Sequence, residues 1–129
     1  MKMVSLAVML VSVSFGAAAE WVELGDNASV TVYADPSTIR IAGNIRKMWH
    51  LMDYKAIQNG ASVKPYLSSK DQSEYDCKSE QSRTIFFQNH AERHGDGSVV
   101  YSLNEPFQWA PTPPGSIAER LWQFACAKV

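Results

Sequence analysis

The sequence contains only two cysteines among 129 residues, which limits the chemistry open to it. Cys77 and Cys126 are far apart, and neither belongs to a closely spaced pair, so a structural zinc site is disfavoured. Neither lies near the N-terminus, so that region offers no cysteine for lipid attachment. Two isolated cysteines leave one disulfide as the simplest use for them.

The sequence also has no large excess of either positive or negative charge. Twelve Lys and Arg stand against thirteen Asp and Glu, a formal net charge of -1 at pH 7. Such a balance argues against a nucleic-acid partner or a polybasic membrane contact. The chain also lacks a glycine-rich phosphate loop, and Ser68, Ser69 and Ser82 have no G-x-S-x-G context. We therefore expect a non-catalytic protein rather than an enzyme.

Long apolar runs are confined to the first twenty residues. Lys2 provides a positive start, residues 3–15 are apolar with interspersed serines, and Ala17-Ala18-Ala19 resembles an A-x-A cleavage site. The run is shorter than the roughly 20 residues that a membrane span requires. We predict that residues 1–19 are a signal peptide cleaved after Ala19. Residues 20–129 then form one exported domain, periplasmic or secreted, with no membrane span.

The C-terminal segment carries the clearest helix signal. Ser116 and Glu119 have the spacing of a capping box, and Ile117, Leu121, Phe124 and Ala125 fall on one helical stripe. About 11 residues are too few for a stable isolated helix. An oxidising compartment favours a Cys77–Cys126 disulfide, which predicts that the helix is tethered where its stripe is buried. Closing a loop of about 50 residues stabilises by roughly 4 kcal/mol.

The segments before the helix are typical of β-strands. Short runs rich in β-branched and aromatic residues are separated by turn signals, one of them at residues 35–38. The predicted strands are 21–24, 28–34, 45–54, 66–77, 84–87 and 98–103, the last with Val99, Tyr101 and Leu103 inward. The proline-rich residues 104–115 are a linker. The prediction is an α+β fold: an antiparallel β-sheet of about six strands, with a C-terminal helix tethered to one face by the disulfide.

The predicted strand at residues 45–54 is apolar on both faces. Odd positions include Trp49 and Leu51, whereas even positions include Met48, Met52 and Tyr54. One face would lie under the helix; the other could be covered by a partner chain, a ligand or only a loop. We take Met48, Met52 and Tyr54 as the candidate contact surface.

The histidines are the remaining candidates for a ligand set. His90 and His94 are four residues apart beside Asp96, and His50 is distant in sequence. On a helix such spacing could hold a metal, but here it adjoins a glycine-rich turn. We expect two solvated loop histidines, and we predict no metal site.

Several short motifs, taken in order, resemble the surface-adhesin protein E-like family. Their order, their spacing and the paired cysteines make the match specific over essentially all of residues 20–129. They are Trp21, Tyr33-Ala34-Asp35-Pro36-Ser37-Thr38-Ile39, Gly43-Asn44-Ile45-Arg46, Tyr66-Leu67-Ser68 with Lys70, Glu74-Tyr75-Asp76-Cys77, Gly97-Ser98-Val99-Val100, and Pro114-Gly115-Ser116 before Cys126.

The resemblance implies an extended antiparallel sheet with a disulfide-tethered C-terminal helix, and a binding role without catalysis. It also implies binding of host extracellular-matrix proteins, and haem binding is attributed to the family. A protein partner of unknown identity is expected, with a homodimer as one arrangement. Two alternatives remain: a soluble periplasmic envelope protein with a non-adhesive role, and a haem- or metal-binding module that would require the histidines to converge.

Overall fold

The computed structural model describes residues 19–127, so the predicted signal peptide lies outside the described residues apart from Ala19. Seven strands and one α-helix follow each other along this part of the chain. They are β1 (Val22–Asp26), β2 (Val30–Ala42), β3 (Ile45–Gly60), β4 (Val63–Asp76), β5 (Gln81–His90), β6 (Val99–Leu103), β7 (Ala110–Pro111) and α1 (Ile117–Ala127).

The strands form one antiparallel sheet in which β1 to β6 lie side by side in chain order. This arrangement confirms the predicted α+β fold, although β3 and β4 are longer than expected. β2 does not end at the predicted turn at residues 35–38; its pairing with β3 shifts between Asp35 and Arg40 and then resumes. Pro36 is tolerated there because a bulge, unlike a regular ladder, does not need its missing N–H.

The proline-rich linker returns the chain to β5. β6 covers one half of the outer edge of β5, from Phe87 to His90. Further along the same edge, the N–H of Phe107 donates to the carbonyl of Thr84, and β7 pairs with Gln81 and Ser82. The linker forms no helix and contributes only this two-residue edge strand, consistent with its prolines.

The helix α1 begins with the predicted cap in a slightly different form. The N–H of Glu119 donates to Oγ of Ser116 over 3.1 Å. Oε1 of Glu119 accepts from the N–H of Gly115, because the N–H of Ser116 already donates to the carbonyl of Pro113. The two side chains therefore still satisfy two backbone donors at the helix start.

The core lies between α1 and the face of the sheet that the helix covers. Leu121 and Ala125 of the helix are buried against Val30, Val32 and Ala34 of β2. Met48 and Tyr75 complete this cluster, and Ile117 and Phe124 pack on its border as the stripe predicts.

The prediction that Met48 belongs to an exposed contact surface is wrong. Its side chain is 0% exposed and packs in the core beneath the helix. The helix covers the even-numbered face of β3, so Met48 and its neighbours at even positions are the covered set. Met52 and Tyr54 are partly buried at the border of the same cluster.

The Cys77–Cys126 disulfide is present and holds the end of α1 to the end of β4, as predicted. Two polar contacts lie beside it. The indole nitrogen of Trp122 donates to the carbonyl of Asp76 over 2.8 Å, and Arg46 donates to the carbonyl of Ala125 in the last helical turn. Within the described part of the chain, no helix has the length and apolar character needed to cross a membrane.

On the opposite face of the sheet, the loop at residues 92–97 covers β3 and β4. Oγ of Ser68 donates to the carbonyl of Glu92 and accepts from the N–H of Gly95. The N–H of His94 donates to Oδ1 of Asp53 over 3.1 Å. The loop thereby closes the apolar face of β3 around Leu51, which is buried.

The chain before β1 is fixed by a buried carboxylate of β2. The backbone nitrogen of Glu20 lies 3.1 Å from Oδ2 of Asp35, while Oδ1 of Asp35 accepts from the N–H of Ser37. Asp35 is only 3% exposed, so these contacts supply the hydrogen bonds that its burial requires.

Candidate functional site

An open groove of about 750 Å³ lies on the helix side of the sheet. Helix α1 covers one end of this face, and the groove occupies the end that the helix leaves free. We call it the aromatic groove. Six of the side chains that line it are Tyr54, Val63, Tyr66, Phe87, Tyr101 and Phe107.

One wall of the aromatic groove consists of three rings in contact. Phe87 of β5 lies 5.7 Å from the ring of Tyr101 and 6.1 Å from the ring of Phe107, measured between centroids. The last two are 52% and 48% exposed. Because the backbone of Phe107 is hydrogen-bonded to Thr84 of β5, its ring is held over the groove although it belongs to the linker.

The floor of the groove is made by tyrosines from β3 and β4. The rings of Tyr54 and Tyr66 meet edge to face, with centroids 5.8 Å apart. Burial raises the pKa of Tyr54 above its ordinary value, with smaller contributions from Tyr66 and from the negative charge of Asp71. Tyr54 is therefore uncharged at physiological pH.

A smaller cavity of about 200 Å³ continues from the groove towards the helix, and we call it the inner cavity. Tyr54, Asp71 and Thr84 line both spaces. Met52 and the first turns of α1 at Ile117 and Leu121 complete its apolar side.

The polar side of the inner cavity is a histidine–aspartate pair. Nε2 of His50 lies 3.2 Å from Oδ2 of Asp71, the residue directly opposite it on β4. His50 is 6% exposed. Its Nδ1 and the Oδ1 of Asp71 are buried and have no hydrogen-bond partner among residues 19–127. Unpaired buried polar atoms are uncommon and require an explanation.

The three histidines do not form a ligand set. His50 points to the helix side of the sheet, whereas His90 pairs with Ser68 and His94 contacts Asp53 on the other side. The prediction of two solvated loop histidines is half wrong. His94 is exposed, but His90 is buried at the end of β5, which extends further than predicted. Among residues 19–127, no group of three His, Cys, Asp or Glu side chains could hold a metal ion.

The predicted contact residues divide between the two cavities and the core. Tyr54 lines the aromatic groove, Met52 lines only the inner cavity, and Met48 reaches neither. Val99 and Tyr101 were expected inward but are exposed, since β6 is the edge strand and the helix does not extend over it. The sequence predictions missed the wall and the His50–Asp71 pair. The apolar alternation of residues 98–103 was a signal for one residue of the wall, Tyr101.

Comparisons with known proteins point to one family. The model of the family described as surface-adhesin protein E matches residues 21–127. A search of curated protein sequences finds no match. Among solved structures, crystal form II of Haemophilus influenzae protein E is similar at 13% identity and a TM-score of 0.65, covering 90% of this chain and 97% of that one.

Two further structures of protein E have the same fold. One from Haemophilus influenzae aligns at 13% identity and a TM-score of 0.63, covering 83% of each chain. Another, from non-typeable Haemophilus influenzae, aligns at 13% identity and a TM-score of 0.60, covering 88% of this chain and 80% of that one. Identities this low establish a shared fold, and the family match covers nearly all of the described chain. The chain belongs to the surface-adhesin protein E family.

Proposed function

We propose that this chain is an exported, non-catalytic adhesin-like domain that binds a protein partner in the aromatic groove, with host extracellular-matrix proteins as the first class of partner. The observation that carries the proposal is the wall of Phe87, Tyr101 and Phe107, in which two half-exposed rings both contact Phe87. Tyrosine and other aromatic residues dominate the energetics of protein interfaces.

The shape of the groove also favours a macromolecular ligand. It is open along its length and has no lid among the described residues, so a polypeptide segment can enter from the side. Val63 and Lys64 at the tip of the β3–β4 hairpin form its outer rim. Exposed apolar side chains collected into one groove, rather than scattered singly, are characteristic of interaction sites.

The contacts within the groove favour binding over catalysis. His50 lines the adjoining inner cavity, and its Nδ1 has no serine, threonine or tyrosine hydroxyl within hydrogen-bond distance among the described residues. A nucleophile paired with a base requires such a contact. The His50–Asp71 pair therefore lacks the third member of a hydrolytic triad.

We propose that the function uses no haem or other cofactor. His50 lies on one face of the sheet and the other two histidines on the opposite face, so the three do not converge. A haem titration followed at the Soret band checks this, and a saturable one-to-one shift of that band contradicts it.

The decisive experiment removes the exposed rings of the wall. We expect the double variant Tyr101→Ser, Phe107→Ser to keep its circular dichroism spectrum, since both rings are half exposed, and to lose at least about 10-fold in affinity for the matrix protein that the wild type binds best. Ile41→Ser is the matched control, because Ile41 is 58% exposed and does not line the groove. The proposal would be overturned if the wild type, the double variant and Ile41→Ser bound the matrix protein with equal affinity. It would also be overturned if the wild type bound none of a panel of matrix proteins.

Location separates the adhesin from the alternative of a periplasmic envelope protein. We propose export after cleavage at Ala19, followed by display at the surface. Protease treatment of intact producing cells should degrade the protein if it is displayed; complete protection would favour the periplasmic alternative.

Sedimentation tests whether two copies of the chain form a homodimer through the groove. In that case the wild type should sediment as a dimer, and the double variant Tyr101→Ser, Phe107→Ser should sediment as a monomer.

A further inference from the structure

Three side chains that line the inner cavity have a buried polar atom without a partner among residues 19–127: Nδ1 of His50, Oδ1 of Asp71 and the hydroxyl of Tyr75, which can accept or donate. With its ring proton on Nε2, which lies 3.2 Å from Oδ2 of Asp71, His50 carries a lone pair on Nδ1. Oδ1 of Asp71 is also an acceptor, and neither atom has a partner among residues 19–127. A ligand that satisfies both must bring hydrogen-bond donors.

The surroundings favour a donor with positive charge. Asp71 is the only carboxylate that lines the inner cavity, and no Lys or Arg lines it. The negative charge of Asp71 also contributes to raising the pKa of both Tyr54 and Tyr75, after the larger effect of their burial. The tyrosine rings at the entrance add a favourable surface for a cation.

The size and lining of the inner cavity favour a ligand that has a flexible methylene chain and a small charged group at its end. About 200 Å³ is several times the volume of one water molecule in the liquid, so a single water does not fill the cavity. Met52, Ile117 and Leu121 line its apolar side, which suits a methylene chain. The opening lies in the aromatic groove, so the rest of the ligand would remain among the exposed rings.

We propose that the inner cavity binds the ammonium group of a lysine side chain belonging to an extended segment of the protein partner. The ammonium donates to Nδ1 of His50 and Oδ1 of Asp71, its methylenes lie against Met52 and Leu121, and its backbone lies in the aromatic groove. This inference rests on the proposed function, because it names the chemistry of the residue by which the partner is anchored.

The first test compares two small probes of equal shape. N-acetyl-lysine methylamide and N-acetyl-norleucine methylamide differ in the ammonium group, and both can be titrated into the full exported chain by ¹H–¹⁵N NMR. We expect saturable shifts at His50, Asp71 and their neighbours with the lysine probe, and at least about 10-fold weaker binding of the norleucine probe. Equal binding of the two, or no shifts with either, overturns the inference and means that the cavity holds only water.

The second test removes the charge of the acceptor. Asp71→Asn is expected to weaken the lysine probe at least about 10-fold, whereas Asp96→Asn, the same change at an exposed carboxylate in the loop on the other face, leaves its affinity unchanged. Equal affinities for the two variants overturn the inference. The comparison of probes on the wild type needs no variant, so it decides the matter if Asp71→Asn does not fold.

Failure of this inference is distinguishable from failure of the proposed function. If the lysine probe does not bind but the matrix protein still depends on Tyr101 and Phe107, the anchor is wrong and the groove remains the binding site. If the lysine probe binds at His50 and Asp71 but no matrix protein binds, the anchor is supported and the proposed class of partner is wrong.

Discussion

The indole N–H of Trp122 donates to the main-chain carbonyl of Asp76, the residue immediately before Cys77. Cys126, the disulfide partner of Cys77, lies one helical turn after Trp122 on the same helix. The end of β4 is therefore attached to the helix twice, once covalently and once by a hydrogen bond. A single bond could act as a pivot, whereas two contacts a turn apart also fix the rotation of the helix about its own axis.

The disulfide should contribute most of the stability of this attachment. We expect the double variant Cys77→Ser, Cys126→Ser to lose about 2–4 kcal/mol of unfolding free energy, since the bond closes a loop of 49 residues in the unfolded chain. Urea unfolding measures the loss, and wild-type protein reduced with dithiothreitol should match the variant. An unchanged unfolding free energy, or two reactive thiols in the native protein, would contradict the prediction.

Ser68 should be the central residue of the loop on the other face. Its hydroxyl both donates to Glu92 and accepts from Gly95, and its side chain is fully buried. We expect Ser68→Ala to lower the unfolding free energy by about 1–3 kcal/mol, because it leaves the buried N–H of Gly95 without its acceptor. The same N–H should exchange with deuterium faster. Ser102→Ala, at an exposed position of β6, is the control, and equal losses in the two variants would refute the role of the loop.

Gly95 itself adopts φ of +70°, and a side chain there would collide with Lys70. The left-handed backbone favours glycine at this position. Gly95 therefore fixes the turn that presents its N–H to the hydroxyl of Ser68.

Alkaline pH should destabilise the protein through Tyr75. Burial raises the pKa of Tyr75 well above its ordinary value, with a smaller contribution in the same direction from the charge of Asp71. The hydroxyl of Tyr75 is buried without a hydrogen-bond partner among residues 19–127. Above about pH 10 the unfolded chain releases this proton while the folded chain retains it, so the unfolding free energy falls as pH rises. Below that pH the stabilisation is fully present.

The variant Tyr75→Phe cannot release this proton, so its unfolding free energy should decline less steeply between pH 8 and about pH 10.5. Urea unfolding at several pH values gives the slope. Tyr101→Phe, at a half-exposed ring, is the matched control and should keep the wild-type slope. If Tyr75→Phe and wild type decline in parallel, burial of Tyr75 does not govern the alkaline limit.

The start of the mature chain should matter for stability. If the signal peptide is removed after Ala19, the nitrogen of Glu20 becomes an ammonium group 3.1 Å from the buried carboxylate of Asp35. We expect protein that starts at Glu20 to be about 1 kcal/mol more stable than protein with one additional methionine before it, because only the former has an ion pair. Intact-mass measurement on exported protein gives the start, and urea unfolding gives the difference.

Asp35→Asn supplies the control for this comparison. It should destabilise both forms, since Asp35 also accepts from Ser37, but it should remove the difference between them. A difference that persists in Asp35→Asn would assign the effect to the added methionine. Exported protein that retains residues 1–19 would refute the cleavage site.

The parts of the fold that were predicted correctly depend on local signals. The spacing of Ser116 and Glu119, the stripe of Leu121 and Ala125, and the two cysteines identify the helix and its tether without knowledge of the sheet. The errors arise where the outcome depends on distant partners. Both faces of β3 are apolar, so its sequence does not indicate which face the helix covers, and Met48 was placed on the wrong one.

The candidate site was less predictable for the same reason. His50 meets Asp71 only because β3 and β4 pair in one particular register, which is determined by the whole hairpin. Phe107 joins the wall because one linker hydrogen bond holds it beside Thr84. Alternation along residues 98–103 did identify Tyr101 as a residue of one sheet face, but it could not indicate that the helix ends before reaching it.

The order of the strands has a consequence for how the chain is made. Each of β2 to β6 pairs with the strand that precedes it in sequence, so the sheet can grow as successive segments emerge during synthesis. The helix must find its partners on strands much earlier in the sequence, and Cys126 follows Cys77 by 49 residues. Cys77 therefore keeps a free thiol until α1 has emerged and docked on the sheet. Its oxidation reports that the helix is in place, and a molecule whose helix has not docked carries a reactive thiol.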